Sequence, residues 1–480
     1  MIKDPRHIAL NVLLSWHKAS HPLDKSLEKY SEKISFLSKN DKSLCNALIF
    51  GVLRQRESID WIIRAFSNIS FEKIDIKPLY LLRTALFQIM YMDRIPVFAA
   101  INTTINIAKK LSGKKTAGYI NAVLRNAAEN FSEVPLPNAK NNASKFISVK
   151  FSMPLWLSKR WIQAFGFEAA CSLCRQINTI PQITLRTNTL KTERKSLAQR
   201  LSLVAKNIEL TDYANQGISF TNPSLPIHEF ETFKLGLFQI QDEAAQIITQ
   251  LLAPKPGEKI LDACAGLGGK TGHIAQLMEN KGIIIAADVE HKKLESLQLD
   301  LKKLGIDIIR TKPINLLKAS IKDFDFYFDR VLMDAPCTGL GVLRRNPDTK
   351  WKRSKKDIER LAAKQKKMLN AAANLVKPGG ILVYAVCSCE REENEAVIHR
   401  FIDKRKDFSI DKNFKSDNYS NLMTRPMPRS MPRSMPGSMP GSKTWSISRL
   451  INRQGFLKTY PETNNMDGFF AARLKRESKS

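Results

Sequence analysis

Ile260-Leu-Asp-Ala-Cys-Ala-Gly-Leu-Gly-Gly-Lys-Thr271 is the stretch on which the fold turns. Lys259 to Ala263 predicts a strand. The glycines at 266, 268 and 269 then let the backbone bend sharply and let a ligand lie against it. A helix from Thr271 to Glu279 points its amides at that ligand. The spacing is not that of a phosphate loop, because G-x-x-x-x-G-K-[ST] is absent. The next strand, Gly282 to Ala287, runs into Asp288. An acid about 20 residues beyond the glycine turn suits ribose hydroxyls, although Asp288 could instead cap the following helix. On these residues alone, a nicotinamide enzyme and an S-adenosylmethionine enzyme look the same.

Outward from this unit, strand and helix keep alternating. Lys292 to Leu304 predicts a helix, Phe328 to Met333 a strand, Ser354 to Leu375 a helix and Ile381 to Ala385 a strand. That order implies an α/β fold with a mostly parallel sheet and helices on both faces, its ligands at the carboxyl ends of the strands. Upstream, residues 4 to about 130 carry apolar positions at helical spacing, as in Leu44-Ala47-Leu48-Gly51-Val52 and Leu79-Leu82-Ala85-Leu86-Ile89. Residues 132–142 are rich in Pro and Asn, and a mixed region follows, with a helix from Trp156 to Phe165 and strands at Ile183 to Asn188 and Ile218 to Thr221. The expected domains are therefore a helical bundle over 1–132, a small α+β domain over 145–238 and the α/β domain over 239–480. Four tandem units, Met427-Pro-Arg-Ser through Met439-Pro-Gly-Ser, predict a disordered insertion at about 424–443.

The formal charge is +30, from 76 Lys plus Arg against 46 Asp plus Glu. A field of that sign attracts polyanions and favours a nucleic-acid partner. Seven scattered cysteines form no disulfide framework and point to a reducing compartment. Cys171-Ser-Leu-Cys174 is a lone pair in a predicted amphipathic helix, Phe165 to Ile177. It falls short of the four ligands a zinc site takes, so no metal is expected. No stretch approaches the ~18 apolar residues of a membrane helix, which leads to the expectation of a soluble cytoplasmic protein.

Two strand ends separate the cofactor readings. Asp334-Ala-Pro-Cys337-Thr-Gly339 follows one strand and Cys387-Ser-Cys389 another. Hydride transfer needs no such thiols, whereas a pyrimidine methyltransferase does. Carbon 5 of cytosine is a poor nucleophile. A thiolate adding to carbon 6 raises the electron density at carbon 5, and a second thiol can help the later elimination. A non-catalytic RNA-binding or antitermination-like factor with a degenerate fold would have no use for both cysteines.

These motifs resemble the Nol/Nop/Sun family of RNA cytosine-5 methyltransferases, over most of the chain. Asp334-Ala-Pro-Cys337-Thr-Gly339 is similar to the family's product-release motif. Tyr384-Ala-Val-Cys387-Ser, followed by Glu393-Asn-Glu395, is similar to the motif that carries the nucleophile. Cys264-Ala265-Gly266-Leu267-Gly268-Gly269-Lys270 is similar to the cofactor loop, and Asp467-Gly-Phe-Phe-Ala-Ala-Arg473 to the closing strand. Ile49-Phe-Gly-Val-Leu-Arg54, Ile59-Asp-Trp61 and Tyr119-Ile-Asn-Ala-Val-Leu-Arg125 resemble a NusB-like RNA-binding domain, a combination similar to the bacterial Sun/Fmu subgroup.

The resemblance implies a Rossmann-like class I methyltransferase domain behind an all-α NusB-like bundle and a small RRM-like linker domain. It also implies S-adenosyl-L-methionine as cofactor, Cys387 as nucleophile and Cys337 as the product-release thiol. Asp334 would lie beside cofactor and base, oriented by Lys270, with Asp288 on the ribose and Asn315 toward the adenine. The implied partner is 16S ribosomal RNA, free or in an early subunit, with transfer RNA as the alternative; the enzyme would be monomeric and make no membrane contact. Basic and aromatic residues nearby, Arg344, Arg345 and Trp351, are expected to touch RNA. The chain departs from the family where Leu267 replaces a proline, Val386 a threonine and Asn315 an aspartate.

Overall fold

The apolar periodicity of the first third becomes helices, some of them started by a side-chain cap. The computed structural model describes residues 4–19, 21–412, 414 and 445–478, and the Met-Pro-Arg/Gly-Ser repeat lies outside them. The helices are α1 (Pro5–Lys18), α2 (Leu23–Ser35), α3 (Lys39–Arg54), α4 (Arg56–Phe66), α5 (Ile76–Tyr91), α6 (Val97–Asn130), α7 (Ala143–Lys150), α8 (Leu155–Phe165) and α9 (Phe167–Ile177). The Asp4 carboxylate accepts from the Arg6 amide with Pro5 at the first helical position, and the Ser38 hydroxyl accepts from the Asp41 amide. Gly113 (φ 83°) breaks α6, and Gly166 (φ 81°) separates α8 from α9, close to the Phe165 junction expected between the two helical stretches.

The chain divides into two compact units. The first holds residues 1–180 together with a later segment, 343–355; the second holds 181–342 and 356–480. In the first unit, Ile8, Val12, Leu13 and Trp16 pack with Leu48, Val52, Leu82 and Leu86 in one core. Asp60 accepts two hydrogen bonds from Arg83, at 2.7 and 2.8 Å, both groups buried.

The excursion 343–355 corrects an expectation about RNA. Arg344 is buried, and its carbonyl accepts from the Arg54 guanidinium at 2.7 Å. The Trp351 indole donates to the Leu53 carbonyl at 2.6 Å, with the Arg56 guanidinium over its ring. Arg345 is half-buried in the same segment and has an interaction partner of its own. Basic and aromatic residues together suit packing against cations and carbonyls as well as RNA, and here Arg344 and Trp351 pack.

Lys350 in that segment is fully buried, its ammonium donating to the Arg54 carbonyl at 2.9 Å. Burial first, then the Arg54 charge, pull it from the ordinary 10.5 down to about 7. Between those values the unfolded chain holds a proton that the folded chain lacks, so stability rises with pH across that window, and below about 7 the cost of burying the charge is fully felt. Lys350→Met should therefore raise the stability of this unit at pH 6.5 by about 1–3 kcal/mol, after subtracting a lost hydrogen bond. The gain should shrink toward pH 10. Urea melts across pH check this; a methionine variant less stable than the parent at pH 6.5 contradicts it.

The second unit begins with β1 (Ile183–Thr187), α10 (Arg194–Leu201), β2 (Lys206–Leu210), β3 (Gly217–Thr221), α11 (Glu231–Lys234) and β4 (Phe238–Ile240). Its strands form an antiparallel sheet in the order β2-β3-β1-β4. The alternating region then follows as α12 (Glu243–Leu252), β5 (Lys259–Asp262), α13 (Gly269–Leu277), β6 (Ile283–Asp288), α14 (His291–Lys303), β7 (Ile309–Pro313) and β8 (Phe328–Asp334). After the short α15 (Thr349–Lys352) of the first unit come α16 (Lys355–Ala373), β9 (Val376–Val386), α17 (Glu395–Lys404), β10 (Phe408–Ile410), β11 (Phe456–Thr459), α18 (Pro461–Asn464) and β12 (Phe469–Arg476).

Among the described residues these strands make an eight-stranded sheet, ordered β10-β12-β9-β8-β5-β6-β7 with β11 on β12. Strands β5 to β9 are parallel, and β12 runs antiparallel to β9. From β5 the chain builds β6 and β7 to one side, then returns to lay β8 and β9 on the other. The strand order thus reverses between β5 and β8, and such a switch point opens a crevice above the carboxyl ends. Apolar side chains cover both faces of the sheet, Ile260, Ile284, Leu332 and Val383 to one side and Leu261, Ile285, Val331 and Leu382 to the other. Among the described residues no helix is long and apolar enough to cross a membrane.

Candidate active site

Every residue expected at the site except Arg344, Arg345 and Trp351 lies at the carboxyl ends of β5 to β9 or just beyond them. At β5 the chain leaves Asp262 and turns through 264–268 into α13, with Gly266 (φ 55°) and Gly268 (φ 82°) in the left-handed region. A Cβ at Gly268 would meet Leu297 at 2.6 Å, so only glycine fits there. The turn is fastened to β6: the Ala265 amide donates to the Ala287 carbonyl at 2.9 Å, and the Gly266 amide to the Asp288 carboxylate at 3.0 Å. Asp288 also accepts from the Glu290 amide at 2.9 Å, so it serves the start of α14 as well. Its carboxylate remains half-exposed, with lone pairs to spare for a diol.

Next along the sheet, Asn315 lies two residues past β7 and is exposed, its side-chain oxygen accepting from the Leu317 amide at 3.1 Å. Leu267, Val289 and Leu317 project from the same three strand ends with 61 %, 65 % and 40 % exposure. Apolar side chains this exposed, beside a half-exposed carboxylate, suit the faces of a flat base. The sequence reading missed Val289 and Leu317, because a single apolar residue past a strand carries no signal by itself.

On the other side of the switch point, the Lys270 ammonium meets the Asp334 carboxylate at 2.5 Å and lies 5.4 Å from the centre of the Phe469 ring. Burial works against the Lys270 charge, but the Asp334 carboxylate outweighs it and holds Lys270 above the ordinary lysine range. Lys270 also feels the Cys387 sulfur electrostatically. Asp262, wholly buried, accepts from the Thr271 hydroxyl at 2.7 Å, and burial raises it to about 6. Burial, with Asp262, Asp334 and Asp288 facing it, pushes the Cys264 thiol far up, so Cys264 is no nucleophile.

The two sulfurs that matter meet across β8 and β9, Cys337 Sγ lying 3.3 Å from Cys387 Sγ. The hydrogen bond to Cys387 and burial keep Cys337 well above the usual thiol range. The loops carrying them are laced together: the Gly341 amide donates to the Cys387 carbonyl at 3.0 Å, and the Gly468 amide to the Gly341 carbonyl at 2.8 Å. A Cβ at Gly341 would come within 1.9 Å of the Gly468 oxygen, so this approach requires glycine. Burial and the Glu390 and Glu462 carboxylates hold the Cys389 thiol well above the usual range.

The small antiparallel sheet supports the turn. Arg186 of β1 is fully buried and donates to the Gly269 carbonyl at 2.6 Å, to Gln276 at 2.5 Å, to Gln239 at 2.8 Å and to Gln241. An arginine in a short strand gave no hint of this role.

Three carboxylates around a glycine turn disfavour a pyrophosphate and suit a cationic sulfonium, so the residues present fit S-adenosylmethionine better than a dinucleotide. Fold and site together define a class I methyltransferase. Residues 249–475 match the family described as 16S rRNA methyltransferase RsmB/F, residues 3–129 the NusB family and residues 153–228 the ferredoxin-like domain of RsmF/B-like methyltransferases.

A protein named probable ribosomal RNA small subunit methyltransferase B from Bacillus subtilis is 36 % identical over 85 % of this chain and 90 % of its own length. A protein of the same name from Synechocystis is 32 % identical over 95 % of this chain and 94 % of its own length. The crystal structure of a methyltransferase homologue from Pyrococcus horikoshii is 28 % identical, with a TM-score of 0.55 over 70 % of this chain and 99 % of that one. The chain belongs to the RsmB/F family of ribosomal RNA methyltransferases, whose cofactor is S-adenosyl-L-methionine.

Proposed function

We propose that this protein methylates carbon 5 of a cytosine in 16S ribosomal RNA, in the cytoplasm, through a transient bond between Cys387 and carbon 6. The observation that carries the reading is the pair of sulfurs 3.3 Å apart beside the Lys270–Asp334 ion pair at the switch point. Two adjacent thiols serve a reaction in which one sulfur must both attack and leave.

The roles that the family resemblance implies are compatible with this arrangement and are proposed here. Residues 264–270 and the first amides of α13 cradle the methionine and ribose end of the cofactor, which supplies an electrophilic methyl group. Asp288 accepts from the ribose hydroxyls. Asn315 lies on the adenine side, and its carbonyl keeps a second lone pair for an exocyclic amine. Lys270 holds Asp334 in one orientation, and Asp334 accepts a hydrogen bond from the cytosine. Cys387, as its thiolate, adds to carbon 6 and pushes the ring electrons onto carbon 5, which would take the methyl as the sulfonium sulfur keeps the bonding pair and leaves as a neutral thioether. A solvent water then takes the carbon-5 proton, the bonding pair it leaves re-forms the 5,6 double bond, and the carbon–sulfur bond breaks with the electrons returning to Cys387. Cys337, held as a thiol by its neighbour and by burial, donates to the departing sulfur. To reach Cys387 the target base has to be unpaired or flipped out.

Asp288→Ala should weaken the binding of S-adenosylmethionine about 10- to 100-fold, the worth of hydrogen bonds to a charged acceptor. Calorimetry with cofactor alone reads it, and an unchanged Kd contradicts the ribose role. The reaction itself is tested with protein-free 16S transcript and methyl-labelled cofactor, followed by nucleoside mass spectrometry. Label in 5-methylcytidine supports the reading. Label in another nucleoside, or acceptance of transfer RNA with refusal of 16S RNA, overturns it.

A further inference from the structure

Glu393 is a fully buried carboxylate that takes no part in the chemistry above. Its Oε1 accepts from the Thr338 amide at 2.9 Å and from the Gln365 amide group at 3.0 Å. Its Oε2 accepts from the Thr338 hydroxyl and the Ser388 hydroxyl, each at 2.5 Å. Thr338 follows Cys337 and Ser388 follows Cys387, so one carboxylate grips the residue next to each sulfur. The scaffold behind it is equally fixed. Gln365 of α16 also donates to the Pro336 carbonyl at 3.1 Å, and the Tyr384 hydroxyl donates to the Glu393 carbonyl at 2.5 Å and to Gln365 at 3.1 Å.

We infer that Glu393 is a positioning residue that holds the Cys337 and Cys387 loops together, so that both sulfurs meet one base. A carboxylate with its lone pairs spent on four donors cannot serve as the proton acceptor of the reaction. Buried and fully hydrogen-bonded, it confers rigidity, and a group misplaced by about 1 Å costs on the order of 100-fold in rate. The Glu393 charge also helps keep Cys337 protonated. The inference rests on the proposed reaction only in its consequence for turnover; the clamp itself is a statement about sulfur proximity.

Two variants separate shape from charge. In Glu393→Gln the amide oxygen keeps the Thr338 and Gln365 donors, while its NH2 donates to hydroxyls that rotate to accept. Glu393→Ala removes the clamp. The first readout is the rate at which diamide couples Cys337 to Cys387, two thiols giving one disulfide as the diazene is reduced to the hydrazine. The A variant should couple at least about 10-fold more slowly than the parent, in line with lost effective molarity, and the Q variant within about threefold of it.

The second readout is kinetic. The A variant should lose about 100-fold in kcat with KM for cofactor and RNA little changed, and the Q variant should recover to within about 10-fold. Should Glu393→Ala fail to bind cofactor, Ser388→Ala, which leaves the carboxylate its other three donors and gives up the Glu390 amide and Thr338 hydroxyl contacts to the serine oxygen, should still slow the coupling measurably. Coupling as fast in the A variant as in the parent, or equal loss in A and Q, overturns the clamp. Slow coupling in A with rescue in Q, in a protein that makes no 5-methylcytidine, leaves the clamp standing and sinks the proposed reaction instead.

Discussion

Cys387→Ala should abolish methylation, lowering the rate by roughly 10⁴- to 10⁶-fold, the scale seen when a covalent nucleophile is removed from a preorganised site. The prediction follows from position as well as chemistry. Cys387 stands immediately past β9, half-buried, within the field of Lys270 and in contact with the Cys337 sulfur. The alternatives nearby are poor nucleophiles: burial and three carboxylates suppress Cys264, and burial beside Glu390 suppresses Cys389. Cofactor affinity should stay within a few-fold of the parent, because the glycine turn and Asp288 are untouched. Radiolabel transfer and calorimetry on the same preparation read both quantities. Turnover retained by the alanine variant would remove Cys387 from the mechanism.

Cys337→Ala should give the opposite phenotype, an enzyme that attacks and methylates but does not let go. Without a thiol 3.3 Å from the departing sulfur, elimination loses its proton donor. Turnover should drop by about 10²- to 10⁴-fold, the usual worth of a positioned acid or base. RNA bound through Cys387 should accumulate as a complex that survives denaturant and migrates slowly on a gel. The double variant lacking both sulfurs should form none. Absence of the complex in Cys337→Ala, with turnover reduced all the same, would mean that Cys337 helps the attack rather than the release.

Much of this architecture is legible in the sequence because each part has a local signature. The glycine turn, the acid that follows it and the alternation of short apolar runs with amphipathic helices mark β5, β6, β8 and β9 and their order along the chain. The observed strands match the expected ones to within a residue or two, apart from β9, which starts at Val376 and shifts its register against β8 around Gly379 (φ 75°) before Ile381. The thiols stand out because cysteine at a strand end beside Asp-Ala-Pro is chemically conspicuous.

Illegible features are those in which distant residues complete one another. Glu393 is 55 residues from Thr338, and nothing in either stretch says that one carboxylate ties both loops. Arg186 is 83 residues from the Gly269 carbonyl it supports. The stretch 343–355 misled because lysine, arginine and tryptophan look alike whether they meet phosphate or the carbonyls at the end of a helix. Only the fold reveals that Lys350 and Trp351 donate to the last carbonyls of α3.

The central claim is most directly tested by trapping the enzyme on 16S transcript that carries 5-fluorocytidine. Fluorine at carbon 5 cannot leave as a proton does, so the adduct that normally breaks down should persist. With S-adenosylmethionine present, tryptic mass spectrometry should find a methylated fluorocytidine on the peptide that contains Cys387. An adduct mapped to Cys337, or efficient methylation of natural RNA with no covalent adduct on either cysteine, would contradict the account.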